Sequence, residues 1–228
     1  MSVPNQLPPR PKAASIFMAA PIVFLGALGL AAALLWGVTR FGSSTADGTA
    51  ITIEFSGACI DEAAPMLLAR AEQIGMPATI SGSTMTATLP NMEDAQAEVP
   101  ALLIRSGTFT MLDESDKAVF TNTHVDDVAI DLDNAGMPNT LVKLDANARL
   151  DLISMDDSTS LTPIVDGVRY EPLMAKDLKE EAVVTLHSGE GRTSLRMKHA
   201  ADLAIILAHG PLPCSIQLSG VAEDPEAG

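Results

Sequence analysis

The sequence predicts an α+β protein built from one N-terminal transmembrane helix and a water-soluble body. Three observations carry this. The run Ala13 to Val38, AASIFMAAPIVFLGALGLAAALLWGV, holds no charged residue. From Ile51 to Leu112 the apolar periodicity reads strand, helix, strand, strand, helix, strand. From Val125 onward, alternating stretches again interleave with helical ones, separated by Gly- and Asp-containing turns.

As a helix the apolar run is ~39 Å long at ~1.5 Å per residue. A bilayer core needs ~30 Å. The transmembrane helix is placed at 13–39. Residues 1–12, MSVPNQLPPRPK, form a proline-rich tail. Arg10 and Lys12 precede the span and only Arg40 follows it. The positive-inside rule therefore puts the tail in the cytoplasm and the body outside. Ala31-Ala32-Ala33 resembles a signal-peptidase site, but Leu34, Leu35 and Trp36 prolong the apolar stretch. That stretch far exceeds the ~7–15 residues of a signal peptide, so an uncleaved anchor is expected. Gly26, Ala27, Gly29 and Ala33 give the span a small-residue surface suited to helix contact.

Charge is partitioned. All 29 acidic residues follow the span, and the chain carries −15 overall. Such a body repels phosphates, which argues against nucleic acid as a partner. The acidity itself reads as solubility.

Residues 40–47 form a linker. Ile51, Ile53 and Phe55 alternate with polar residues as a half-buried strand does. A helix follows from Asp61 to Ile74, with Ala64, Leu67, Leu68, Ala71 and Ile74 on one stripe. Gly75 and Pro77 stop it. Ala78–Ile80 and Met85–Leu89 form a hairpin about Ser81-Gly82-Ser83. A second helix spans Met92–Arg105, interrupted by Pro100, and Thr108–Leu112 is a strand. This order is the split βαβ, ferredoxin-like unit. Beyond it, Val125–Leu132 and Asn139–Leu144 pair across a turn at 134–136. Asp145 N-caps a helix to Ser154. Leu161–Val165 and Val168–Leu173 flank the turn Asp166-Gly167. Glu181–Leu186 is a strand. The last helix opens at Arg192-Thr193-Ser194, turns Leu195, Leu203, Ile206 and Leu207 inward, and closes at His209-Gly210. Cys214–Leu218 is a final strand, followed by an acidic tail at 221–228.

Chemistry-bearing patterns are sparse. His124, His187, His199 and His209 never stand four apart, and no Cys-x-x-Cys occurs, so no zinc site is expected. Asp131 to Gly136 lacks the spacing and closing glutamate of a calcium loop and reads as a strand end and turn. Ser188-Gly189-Glu190-Gly191 has no phosphate-binding lysine, and no nucleophile elbow is present. No enzyme, cofactor or metal is expected. Cys59 and Cys214 can pair in an oxidising compartment; the alternative is two small buried apolar side chains.

Four segments carry a family resemblance. His199–Leu218 (HAADLAIILAHGPLPCSIQL) resembles the end of the first large extracytoplasmic domain of SecD, the accessory subunit of the bacterial Sec protein translocase, with His209 where an Arg is usual. Pro100–Leu112 (PALLIRSGTFTML), Val125–Leu144 and Pro163–Pro172 (PIVDGVRYEP) resemble further SecD segments in the same order. The usual "D-L-x-G-G" after the first span is missing; GTAITIEFSGA stands there.

The resemblance implies a ferredoxin-like base at 48–113, an inserted head at 118–210 and a returning base strand at 211–220. It puts Cys214 on that strand and Cys59 near the base, which favours their pairing. It implies a single-pass protein of the bacterial inner membrane, its C-terminal domain periplasmic. The expected role is accessory: binding unfolded or exported polypeptide, or partners among Sec translocase components or an envelope complex. With one span and an end at Gly228, no proton relay of its own is expected. Met137, Met155 and Met174 are candidate polypeptide contacts, since flexible thioethers suit varied partners; alternatively they fill the core. The competing expectation is a structural subunit of a membrane complex that reuses a SecD-like domain.

Overall fold

The computed structural model describes residues 48–89, 95–189 and 191–223. The expected tail at 1–12, transmembrane helix at 13–39 and linker at 40–47 lie outside these residues. Among the described residues, no helix is long and apolar enough to cross a membrane. The body is α+β, with several antiparallel sheets.

The first sheet grows from β1 (Thr49–Ser56), whose Ile51, Ile53 and Phe55 all point into the core. Helix α1 (Ile60–Ile74) carries Asp61 and Glu62 in its first turn, where the helix dipole favours acids. It ends at Gly75, whose φ of 80° lets its N–H bond back to the carbonyls of Ala71 and Glu72. Strands β2 (Ala78–Ser81) and β3 (Thr84–Leu89) form the hairpin, and α2 (Ala95–Leu103) follows, continuing through Pro100. The sheet order is β12-β1-β3-β2, where β12 is Gln217–Glu223.

Two expectations are corrected here. The strand expected at 108–112 does not complete this sheet. It is β4 (Phe109–Leu112), and it pairs with β5 (Ala118–Thr121) and β8 (Ser160–Val165) in another sheet. Alternation says which side chains face inward, here Phe109 and Met111, but not which sheet receives them. Nor does the returning strand occupy 211–220. It starts at Gln217 and runs to Glu223, which lies opposite Ile51. Pro211 and Pro213 have no N–H for a ladder, so pairing begins after them. Residues 221–223, expected as loose tail, belong to the strand.

The second sheet has the order β10-β8-β4-β5, with β9 (Val168–Arg169) on the end of β8 and β10 (Leu173–Met174) at the edge. The strand expected to run unbroken over 168–173 is thus two short ones, parted by the segment holding Pro172. The third sheet, β11-β7-β6, joins β6 (Val125–Leu132), β7 (Pro138–Leu144) and β11 (Val183–His187). Its hairpin turn is tied by Asp133 Oδ1, which accepts from the N–H groups of Ala135 and Met137, both at 2.8 Å. Helix α3 (Ala146–Ser154) is N-capped by Asp145, which accepts from the Ala148 N–H at 2.8 Å. A single turn, α4 (Ala175–Leu178), packs beside β10.

The last helix, α5 (Thr193–Ala208), bridges two cores. Ala200, Ala201 and Ala204 lie against Ile130 of the third sheet, and Thr140 of β7 donates to the Ala200 carbonyl at 3.0 Å. Leu203, Ile205, Ile206 and Leu207 enter the main core with Ile51, Leu67 and Leu103. Leu195, expected inward, is 59% exposed, because it sits in the first turn, ahead of the stretch of α5 that packs on the sheet.

Candidate functional site: the buried cation at the junction

Arg70 is the largest fully buried side chain among the described residues. It stands three residues after Leu67 and four before Ile74, so it shares their face of α1. Among the described residues no carboxylate forms an ion pair with its guanidinium; backbone carbonyls surround it. Nη1 donates to the carbonyl of Leu103 at 2.8 Å and to that of Arg105. Nη2 donates to Gly210 at 3.0 Å, Ile206 at 3.3 Å and, more weakly, Ser106 at 3.4 Å. These acceptors are the C-terminal ends of α2 and α5 and the turns beyond them. Such carbonyls have no partner inside their own helices and carry the negative end of the dipole. One buried cation satisfies both helix ends at once. Burial lowers its pKa to about 10, opposed by Asp166 and reinforced by Arg105, so the charge persists at neutral pH. Its Nε has no hydrogen-bond partner among the described residues.

Gly107 makes the arrangement possible. Its φ is 74°, and a Cβ there would stand 2.6 Å from the Ile206 carbonyl oxygen, 2.7 Å from Arg70 Nη2 and 2.9 Å from the Gly210 oxygen. No side chain fits. The Leu212 N–H donates to the Ser106 carbonyl at 2.8 Å, and His209 Nε2 lies 2.8 Å from Gln73 Oε1. Burial first, then Arg70, holds the His209 imidazole below its ordinary range.

A second cluster adjoins the first. Asp166, at φ 47° in the turn between β8 and β9, accepts from the Thr108 N–H at 2.8 Å and its hydroxyl at 3.1 Å. Its other oxygen is buried 3.3 Å from Arg105 Nε, an ion pair whose alignment falls short of a hydrogen bond. Tyr170 Oη lies 3.4 Å from His199 Nε2. Burial raises the Tyr170 pKa and lowers that of His199, Arg105 acting second on each.

Three of the four SecD-like segments therefore meet in one place. Pro100–Leu112 supplies carbonyls, Arg105 and Gly107; Pro163–Pro172 supplies Asp166 and Tyr170; His199–Leu218 supplies the end of α5. The fourth, Val125–Leu144, makes the β6–β7 hairpin, tied to α5 through Thr140. Arg70 lies outside all four, and no motif marks it in the sequence. The signal was its position on the apolar face of α1, where a cation needs acceptors.

The other candidates lie apart. Met137 sits at the hairpin turn, Met155 beyond α3 and Met174 on β10, all half-buried. The structure does not gather them on one element. Met155 packs on the main core, and its carbonyl accepts from Lys179 at 2.6 Å. More exposed are Leu150 (66%) and Ile153 (55%), three apart on α3. Cys59 and Cys214 are joined by a disulfide, their Cα atoms 6.1 Å apart. Among the described residues, no group of three His, Cys, Asp or Glu could hold a metal ion.

No protein-family model matches this chain, and no curated protein sequence does. Solved structures do. A structure of SecDF in a super-membrane-facing form matches at TM-score 0.59 and 15% identity, over 88% of this chain and 34% of that one. A structure of SecDF, a membrane component that enhances protein export, matches at TM-score 0.56 and 15% identity, over 75% of this chain and 98% of that one. This chain thus spans about a third of the first SecDF chain and nearly all of the second. At 15% identity the likeness is one of fold: this chain shares its fold with part of the first SecDF chain and nearly all of the second.

Proposed function

We propose that this chain is a membrane-anchored accessory protein of protein export, acting by binding rather than by catalysis. Its body stands on the extracytoplasmic side of a bacterial inner membrane. There it contacts exported polypeptide or Sec translocase components. The observation that supports this reading is the fold likeness to nearly the whole of a SecDF structure whose protein enhances export. The convergence of three SecD-like segments on Arg70 agrees with it, since the resemblance then lies in buried architecture and not in surface composition. Polypeptide contact is assigned to apolar side chains of the inserted part: Met137, Met155 and Met174, with Leu150 and Ile153.

Photo-crosslinking in native membranes tests the proposal. A crosslinker replaces each of these five residues in turn while an export substrate is held partway across. Crosslinks to the substrate or to a Sec component are expected. Recovery of neither, with the chain correctly inserted, overturns it.

A further inference from the structure

We infer that the Cys59–Cys214 bond is a redox clasp, and that it decides whether the last strand stays on its sheet. Cys59 is the residue before α1, and Cys214 stands three residues before β12. The two segments touch along their backbones here: a Cβ on Gly57 would stand 3.0 Å from the Ser215 carbonyl oxygen and 3.5 Å from Ile216 Cα. Both cysteines are only part-buried, unlike the fully buried side chains of the core.

What the bond holds is weakly held otherwise. Among the described residues, strand β12 is at the edge of its sheet beside β1, and none of its seven side chains is fully buried. Its ladder is interrupted by a register shift between Glu54 and Phe55. Leu212 and Ile216 are buried, but both precede the strand. Of the strand itself only Leu218 packs, part-buried, on the main core, so the ladder has little apolar burial to offset the entropy of ordering its backbone. A covalent tie one turn away supplies that offset by keeping the strand beside β1.

The pair forms by thiol–disulfide exchange. Two cysteine thiols lose two protons and two electrons, and a protein disulfide donor accepts both and becomes a dithiol. The partner at this site is therefore a disulfide-donating oxidoreductase of an oxidising compartment, a relation independent of what the body binds.

The test uses the full chain purified in detergent. Maleimide labelling after denaturation should add nothing without prior reduction and two labels after it. Hydrogen exchange is then compared before and after reduction. Amides of 217–223 should exchange at least about tenfold faster in the reduced chain, while those of β6 and β7 keep their rates. Cys214→Ser should reproduce the reduced pattern without reductant. Two labels in the unreduced chain, unchanged exchange at 217–223, or an equal loss of protection in all sheets would each overturn the inference.

Discussion

Two places fasten distant parts of this chain, and they do so by opposite means. At the junction, Arg70 is fully buried and joins three segments by hydrogen bonds to carbonyls. At the clasp, Cys59 and Cys214 are half-exposed and join two segments by one covalent bond. The difference follows from surroundings. The junction lies inside a continuous apolar core, where a cation costs much unless every acceptor is well placed, and where displacing it leaves carbonyls unsatisfied. The clasp lies at the margin of that core, where Cys214 is only part-buried against it and the strand that follows has no fully buried side chain. A buried polar knot resists change through geometry, an exposed bond only through chemistry.

Breaking the junction should give the largest effect. Arg70→Ala removes the donors for two helix ends and leaves a cavity, and should cost about 3–5 kcal/mol in urea unfolding. Arg70→Lys should recover only part of this, since one ammonium cannot span acceptors that a planar fork reaches. If the loss were instead within about 1 kcal/mol, the knot would be dispensable and the contrast with the clasp would fail.

Next comes Gly107→Ala, which should cost about 2–4 kcal/mol from positive φ and collision together. Gly210 separates the two causes. Its φ is 71°, but a Cβ there meets nothing within 4 Å. Gly210→Ala should therefore show the backbone part alone, about 1–2 kcal/mol.

The pH response sharpens the comparison further. His209 has its pKa lowered from the usual 6.5 by burial and Arg70, and His199 by burial and Arg105. The unfolded chain therefore takes up these protons first. Stability should be fully present above about pH 6.5 and decline as pH falls below it. His209→Gln should flatten part of that decline, measured as unfolding midpoints between about pH 7.5 and 5. The clasp, which holds no titrating group once oxidised, should contribute nothing to the slope.

Asp166→Asn keeps the acceptor for Thr108 but discharges the partner of Arg105, and should cost about 1 kcal/mol. The smallest effect belongs to Asp126→Asn. Its ion pair with Lys143, at 2.6 Å, leaves both side chains 49% exposed, so a change under about 0.5 kcal/mol is expected in the same assay.

Local structure was legible in the sequence to the extent that its cause is local. Gly75 as a helix stop, Asp145 as an N-cap and Asp166-Gly167 as a turn all follow from backbone chemistry within a few residues. Strand β5 at Ala118–Thr121 is not among the expected strands; only Phe120 of its four residues is buried, so it shows no alternation of apolar and polar residues. The sheet that receives β4 is not legible locally, because one of its two partners, β8, lies 50 or more positions away. Leu195 was turned inward because periodicity assumes a helix packed along its whole length. Arg70 was the costliest omission for the site. It sits on the apolar stripe, but the acceptors that make its burial tolerable come from residues 103–106 and 206–210, and no window on α1 contains them. Flexibility singles out Met137, Met155 and Met174 in the sequence; exposure, which only the fold decides, adds Leu150 and Ile153.

The separation between β1 and its outer neighbour also has a consequence in time. The cysteines that flank this pairing lie 155 residues apart. At a synthesis rate of ~5–20 residues per second, about 8–30 s pass between the emergence of one and the other. For that interval β1 can pair with β3 but has an open flank, and Arg70 waits for the carbonyls of Ile206 and Gly210. The first sheet to begin is among the last to finish. A nascent chain of this kind is exposed to wrong pairing for most of its own synthesis, and whatever shields it must act before residue 210 has been made.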